Sequence, residues 1–127
     1  MTPPPLTHLA LAVEDQERAR RFYERYFGFD RDPQSYPDGT LMLRNADGFS
    51  LALGRADSRP EPPRFFHFGF RADSPDAVRA FRDRLAADGV ELVEEWDEEF
   101  YVSVKCRDPD GYVVEFAWEI PQPDPSA

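Results

Sequence analysis

Apolar and polar positions change period several times along the chain, and the changes come in the same order in each half. From Leu6 to Val13 the residues alternate, Leu9, Leu11 and Val13 on one side and His8, Ala10 and Ala12 on the other, which predicts a strand. Asp15 is placed to cap a helix over Gln16 to Phe27, where Ala19, Phe22, Tyr23 and Tyr26 recur at helical spacing. Gly28 falls where a left-handed C-terminal cap belongs. Phe29 to Tyr36, Thr40 to Arg44 and Phe49 to Gly54 predict three further strands, separated by the turns Pro37-Asp38-Gly39 and Asn45-Ala46-Asp47-Gly48. A loop rich in proline and glycine, Gly54 to Pro63, precedes the second round. Arg64 to Ala72 predicts a strand, and Ser74 with Pro75 opens a helix to Ala87, closed by Gly89. Val90 to Trp96, Phe100 to Arg107 and Tyr112 to Trp118 complete it, with Asp108-Pro109-Asp110-Gly111 joining the last two. The order is βαβββ twice, an α+β arrangement within one domain of residues 1–127. Module one covers residues 6–54 and module two 64–118, and residues 1–5 and 119–127 form proline-rich tails.

Three strands carry an ionisable residue on a face of small neighbours. His8 shares its face with Ala10 and Ala12, His67 with Gly69 and Arg71, and Glu115 with Val113 and Ala117. The opposite faces are heavy and apolar: Leu9, Leu11, Val13; Phe66, Phe68, Phe70; Val114, Phe116, Trp118. Heavy faces are covered by helices, while small-residue faces leave room above themselves. The two histidines of the chain occupy equivalent places in the repeat. Two imidazoles and a carboxylate gathered in a cavity would be costly alone and favourable around a divalent cation, with open positions left on one side. His8, His67 and Glu115 are therefore the candidate metal ligands. On the seventh strand Tyr101, Ser103 and Lys105 share one face, so Tyr101 and Lys105 are candidates for proton transfer and oxyanion stabilisation.

Composition narrows the partners. A formal charge of -10 over 127 residues argues against nucleic acid and anionic membranes, which need clustered cations. A small anionic substrate stays compatible, because a metal and a few cations reverse the field locally. The single cysteine, Cys106, leaves no intrachain disulfide and no zinc–thiolate cluster, and its face is the apolar one. The Glu94-Glu95-Trp96-Asp97-Glu98-Glu99 run is expected to be a solvated hairpin. No apolar stretch is long enough to span a bilayer and no secretory signal is evident at the N-terminus, so a cytoplasmic location is expected.

The first-strand histidine followed by Val13-Glu14-Asp15, the helix from Arg21-Phe22-Tyr23 to Phe27-Gly28-Phe29, and the Asp108-Pro109-Asp110-Gly111 turn leading to Glu115 occur here in one order over residues 6 to 118. Together they resemble the vicinal oxygen chelate superfamily of glyoxalases, bleomycin resistance proteins and extradiol dioxygenases. The resemblance implies paired βαβββ modules forming a half-barrel sheet that cradles a metal site, with helices on the outer face. It implies ligands on the first, fourth, fifth and eighth strands, of which His8, His67 and Glu115 match the first, fifth and eighth. The fourth-strand ligand of glyoxalase I is expected where Ser50 stands, so the four-ligand pattern is broken. Ser50, Ser103 and Arg71 become candidate substrate contacts. The implied activity is bidentate chelation of a small molecule by one divalent metal per site (iron, manganese, nickel or zinc), in a dioxygenase, lyase or thiol-transferase reaction. The resemblance also implies a homodimer, with His8 from one subunit and His67 and Glu115 from the other. A metal-free drug-binding protein of the bleomycin-resistance type is the alternative, favoured by the negative charge and abundant phenylalanine, and an inactive or regulatory paralogue is a third.

Overall fold

The computed structural model describes residues 2–121; Met1 and residues 122–127, most of the expected C-terminal tail, lie outside the described residues. The chain divides into two compact units, residues 1–61 and 62–127. In the first, the elements are β1 (His8–Val13), α1 (Gln16–Phe27), β2 (Gln34–Ser35), β3 (Leu41–Arg44) and β4 (Ser50–Arg55). In the second they are β5 (His67–Arg71), α2 (Pro75–Ala87), β6 (Leu92–Asp97), β7 (Tyr101–Arg107) and β8 (Val113–Glu119). Each unit holds one four-stranded mixed sheet, ordered β1-β4-β3-β2 and β5-β8-β7-β6. In both, the first strand lies parallel to the last and the remaining pairs are antiparallel. The sheets are open, and the α+β class expected from the repeat is what the chain adopts.

Both helices start as their sequences dictate. The Asp15 carboxylate accepts from the Arg18 N–H and the Ser74 hydroxyl from the Ala77 N–H, each satisfying an orphan donor of the first turn. Gly28, at φ 70°, ends α1 with its N–H donated to the Tyr23 carbonyl. The apolar stripe of α1 delivers Ala19, Phe22 and Tyr23 to a core with Leu11, Val13, Leu43, Leu51 and Leu53. In the second unit Val78 and Leu85 of α2 are buried along with Val102, Val104, Cys106 and Val114, and Phe81 meets Phe116 at 4.7 Å between ring centres. Fully burying such a side chain contributes about 1.5–3 kcal/mol, so these faces fix which side of each sheet is covered. Across the rim of α2, Arg79 donates to both carboxylate oxygens of Asp97 at 2.8 and 3.0 Å. That pairing lowers the proton affinity of Asp97 and raises that of Arg79.

Two strands are shorter than their sequences suggest. The segment expected as Phe29 to Tyr36 pairs only at Gln34–Ser35. Pro33 has no N–H to give a ladder, and Phe29 is buried as a plug against Tyr23, at 6.1 Å, instead of lying in a sheet. The strand expected from Arg64 begins at His67, because residues 63–66 form a turn closed by the Phe66 N–H and the Pro63 carbonyl at 3.1 Å. Phe65 in that turn has φ 74°, a left-handed backbone that costs a non-glycine residue about 1 kcal/mol. Among the described residues no helix is long and apolar enough to cross a membrane.

Candidate metal centre

With α2 covering one face of the second sheet, the other face is set by register. Gly69 lies opposite Glu115, Glu115 opposite Lys105, and Lys105 opposite Glu94, one row across four strands. The next row runs Arg71, Ala117, Ser103, Trp96. The Asp108-Pro109-Asp110-Gly111 turn fixes this register: the Asp108 carboxylate accepts from the backbone N–H groups of Asp110 and Tyr112 at 2.9 Å each, and Gly111 supplies φ 92°.

Glu115 is the centre of the arrangement. Its Oε2 accepts from the Tyr101 hydroxyl at 2.5 Å and from the Ser103 hydroxyl. Its Oε1 stands 3.8 Å from Nε2 of His67. The two oxygens therefore have separate duties, one anchored and one turned to the imidazole. Gly69 makes this possible: a Cβ there would lie 3.1 Å from the Glu115 Cβ and carbonyl oxygen, closer than side chains normally come. A glycine between alternating phenylalanines is the one signal in the sequence that could have announced the close approach. On the far side of the imidazole, His67 Nδ1 meets the Phe65 carbonyl at 3.0 Å. A carbonyl only accepts, so Nδ1 carries a hydrogen, and in the neutral imidazole that leaves the lone pair on Nε2, the tautomer found in histidines that bind metals.

The neighbouring candidates occupy definite posts. Tyr101 is held neutral above the ordinary tyrosine range, first by burial and then by its bond to Glu115. Ser103, expected at the substrate, is buried and spends its hydroxyl on Glu115. Lys105 shares their face, and its ammonium is tied to Glu94 at 3.1 Å. Glu94, part of the acidic run expected to be only solvated, is kept below the usual carboxylate range by the Trp96 indole and then by Lys105. The rest of the run does form the β6–β7 hairpin, closed by the Glu98 N–H and the Tyr101 carbonyl. Cys106 is buried on the α2 face, with its thiol pushed up to about 12 by desolvation. Beside Glu115 a cavity of about 760 Å³ is lined by Gly69, Arg71, Asp73, Tyr101, Ala117, Trp118 and Glu119 among others. Arg71 is exposed at its wall.

The first unit is the sparser copy. His8 is exposed, its Nδ1 3.0 Å from the Thr7 hydroxyl, which can donate or accept. Its register partner is Ser50, which is buried, and the next pairs on that face are Ala10 with Ala52 and Ala12 with Gly54. Glu115 pairs with the residue two beyond His67; the residue in that relation to His8 is Ala52, not Ser50. By register the first unit's counterpart of Glu115 is therefore Ala52, two residues beyond Ser50.

The second unit brings His67 and Glu115 together with Tyr101 and Ser103, and among the described residues no three His, Cys, Asp or Glu side chains form a group able to hold a metal. The pair itself fits one. Donors bound to a common ion at about 2.1 Å stand roughly 3–3.5 Å apart. A separation of 3.8 Å needs only a small side-chain adjustment.

Comparison with known proteins agrees with the fold. The chain is 31% identical over 127 aligned positions to an uncharacterised protein of Pseudomonas aeruginosa, covering 93% of this chain and 91% of that one. It is 30% identical over 113 positions to a probable trivalent organoarsenical cleaving enzyme of Bacillus subtilis, covering 86% of this chain and 76% of the relative. A solved structure of a point mutant of a genomically encoded fosfomycin resistance protein from Listeria monocytogenes, complexed with Mn(II) and 1S,2S-dihydroxypropylphosphonic acid, shares the fold with a TM-score of 0.72 at 22% identity, over 91% of this chain and 90% of that one. Residues 6–116 match the model of one family, and with both sheets and the paired first-strand histidines in view, the chain belongs to the Glyoxalase/Bleomycin resistance protein/Dioxygenase superfamily.

Proposed function

We propose that the protein is a metal-dependent enzyme acting on a small molecule through two neighbouring oxygens, with His8, His67 and Glu115 holding one divalent ion. What carries the proposal is the pair in the second unit: an imidazole nitrogen and a carboxylate oxygen face each other at 3.8 Å while the remaining polar atoms of both groups are tied elsewhere. The donor set suits ferrous iron, manganese, nickel or zinc. When bound, the ion would supply a Lewis acid with adjacent open positions for vicinal oxygens. Around it, Tyr101 and Ser103 hold the carboxylate monodentate, and the Tyr101 hydroxyl, at the cavity wall, is placed to pass a proton. Lys105 balances charge in the same row, and Arg71 offers a cation to an anionic end of the substrate. His8 would complete the set from a second copy of the chain in a cytoplasmic homodimer. A dioxygenase, lyase or thiol-transferase reaction fits these parts, and two of the similar proteins are named as a probable organoarsenical cleaving enzyme and a fosfomycin resistance protein.

The test is metal analysis of protein purified without added ions, in parallel with His67→Ala. Stoichiometric metal in the wild type and its loss in the variant are expected; negligible metal in both removes the proposal. Anaerobic purification sorts the chemistry, since ferrous iron points to oxygen activation and manganese or nickel away from it. The remaining acidic and aromatic cavity lining, Asp73 and Glu119 with Tyr101 and Trp118, favours one second reading, a metal-free site for a cationic drug. Thermal protection of the apo-protein by bleomycin, unchanged in Glu115→Gln, would support it.

A further inference from the structure

We propose that Phe65 is a positioning residue for His67, locking the imidazole at two points. The first point is its carbonyl, which holds Nδ1 of His67 at 3.0 Å and leaves Nε2 turned to Glu115. The second is its ring, which meets the imidazole edge-on at 5.6 Å and 76° and opposes rotation of the histidine.

Several independent features point to a retained function. Every other described residue with positive φ is a glycine; Phe65, at φ 74°, is the exception. It stands third in the turn from Pro63 to Phe66, a place that glycine fills by default when φ is positive there. The residue is 88% exposed, so core burial does not hold a phenylalanine there. Its one ring contact among the described residues is His67. Strain of this sort persists where the surroundings over-determine it, and it gathers at functional positions. The left-handed backbone is what aims the carbonyl at the residue two further on. No such device serves His8, whose Nδ1 partner is a hydroxyl on the adjacent residue.

The lock rests on the metal-centre proposal only for its purpose, since the tautomer it assigns is a property of the metal-free chain. The experiment is a proton–nitrogen long-range correlation spectrum of the histidines in the full-length metal-free protein, above the histidine titration range, with Zn2+ binding measured in parallel. In the wild type His67 is expected as the Nδ1–H tautomer. Phe65→Gly keeps the left-handed backbone and the carbonyl but removes the ring; the tautomer should persist, the imidazole should show new rotational exchange, and Zn2+ affinity should fall about tenfold without loss of thermal stability. Phe65→Pro cannot adopt positive φ, so the carbonyl swings away, the Nε2–H tautomer appears and Zn2+ affinity falls up to about 100-fold. An Nε2–H tautomer in the wild type overturns the lock, as does a Phe65→Gly protein identical to wild type in both imidazole exchange and Zn2+ affinity. A wild type that shows the tautomer, with new exchange appearing in Phe65→Gly, but takes up no metal overturns the metal-centre proposal and leaves the lock standing.

Discussion

The two units are the same fold used at different chemical density. Each puts a histidine at the head of its first strand and pairs that strand in parallel with its last. Beyond the histidine the copies part. In the first unit the uncovered face continues with Ala10, Ala12, Ala52 and Gly54; in the second, Gly69, Arg71, Glu115 and Ala117 take those places. Met42 faces Ala52 where Lys105 faces Glu115. The first unit sets one histidine among small residues, the second a histidine facing a carboxylate with its supporting bonds. A carboxylate that is anchored, uncrowded and opposed to an oriented imidazole takes several residues, and only one of the copies has them.

The sharpest way to break this contrast is to delete the carboxylate and offer it elsewhere. Glu115→Ala should weaken metal binding more than about 100-fold, beyond what loss of a supporting bond does, as followed by competition with a chelating dye. Adding Ala52→Glu should not restore it, because Thr40 alone answers to Ser103 and the counterpart of Tyr101 is Asp38, a carboxylate with no proton to donate. Restored binding would show the two copies to be interchangeable. Next comes the anchor itself. Ser103→Ala leaves a part-buried carboxylate oxygen one donor short, which should lower stability by about 1 kcal/mol and metal affinity about tenfold, read by denaturant melts and titration. Gly69→Ala forces a methyl to 3.1 Å from Glu115 and should cost about 1 kcal/mol, whereas the counterpart position in the first unit is already an alanine, Ala10.

Smaller effects follow from proton affinities. Because the folded chain raises the pKa of Tyr101, it favours the neutral phenol; that stabilisation is complete below the ordinary value of 10.0 and disappears as pH rises through the higher folded one. Tyr101→Phe should therefore flatten the alkaline limb of a stability–pH curve, and an unchanged limb would contradict the assignment. Cys106, with its thiol near 12, should resist alkylation in the folded protein at neutral pH and react on unfolding.

Much of this was legible in the amino-acid order, and the exceptions are instructive. Period-two alternation assigned the faces of β1, β5, β7 and β8, because a strand's faces follow from parity alone. Asp15 and Ser74 announced the helices through hydrogen bonds local enough to be read from neighbours. The offset from Ser50 to Ala52 was also readable: counting from Gly48 as from Gly111 leads to Ala52 and Glu115. What could not be read depends on distant partners or unusual torsions. Nothing near Phe65 signals positive φ, and nothing near Ser103 says that its hydroxyl serves another strand's carboxylate. The lengths of β2 and β5 failed for the first reason, since apolar residues such as Phe29 and Phe66 suggest strands while their backbones turn aside.

The parallel pairing of β5 with β8 bears on how the chain reaches its folded state. β6, β7 and β8 are joined in sequence and can zip as neighbouring hairpins, but His67 aligns with Val113 only after α2 and two further strands have been traversed. Contacts of such long sequence separation form late, because a large loop must close first. His67 therefore docks onto a framework already carrying Glu115, and any ion bridging the two would act as a latch on the last step of folding and the first step of unravelling.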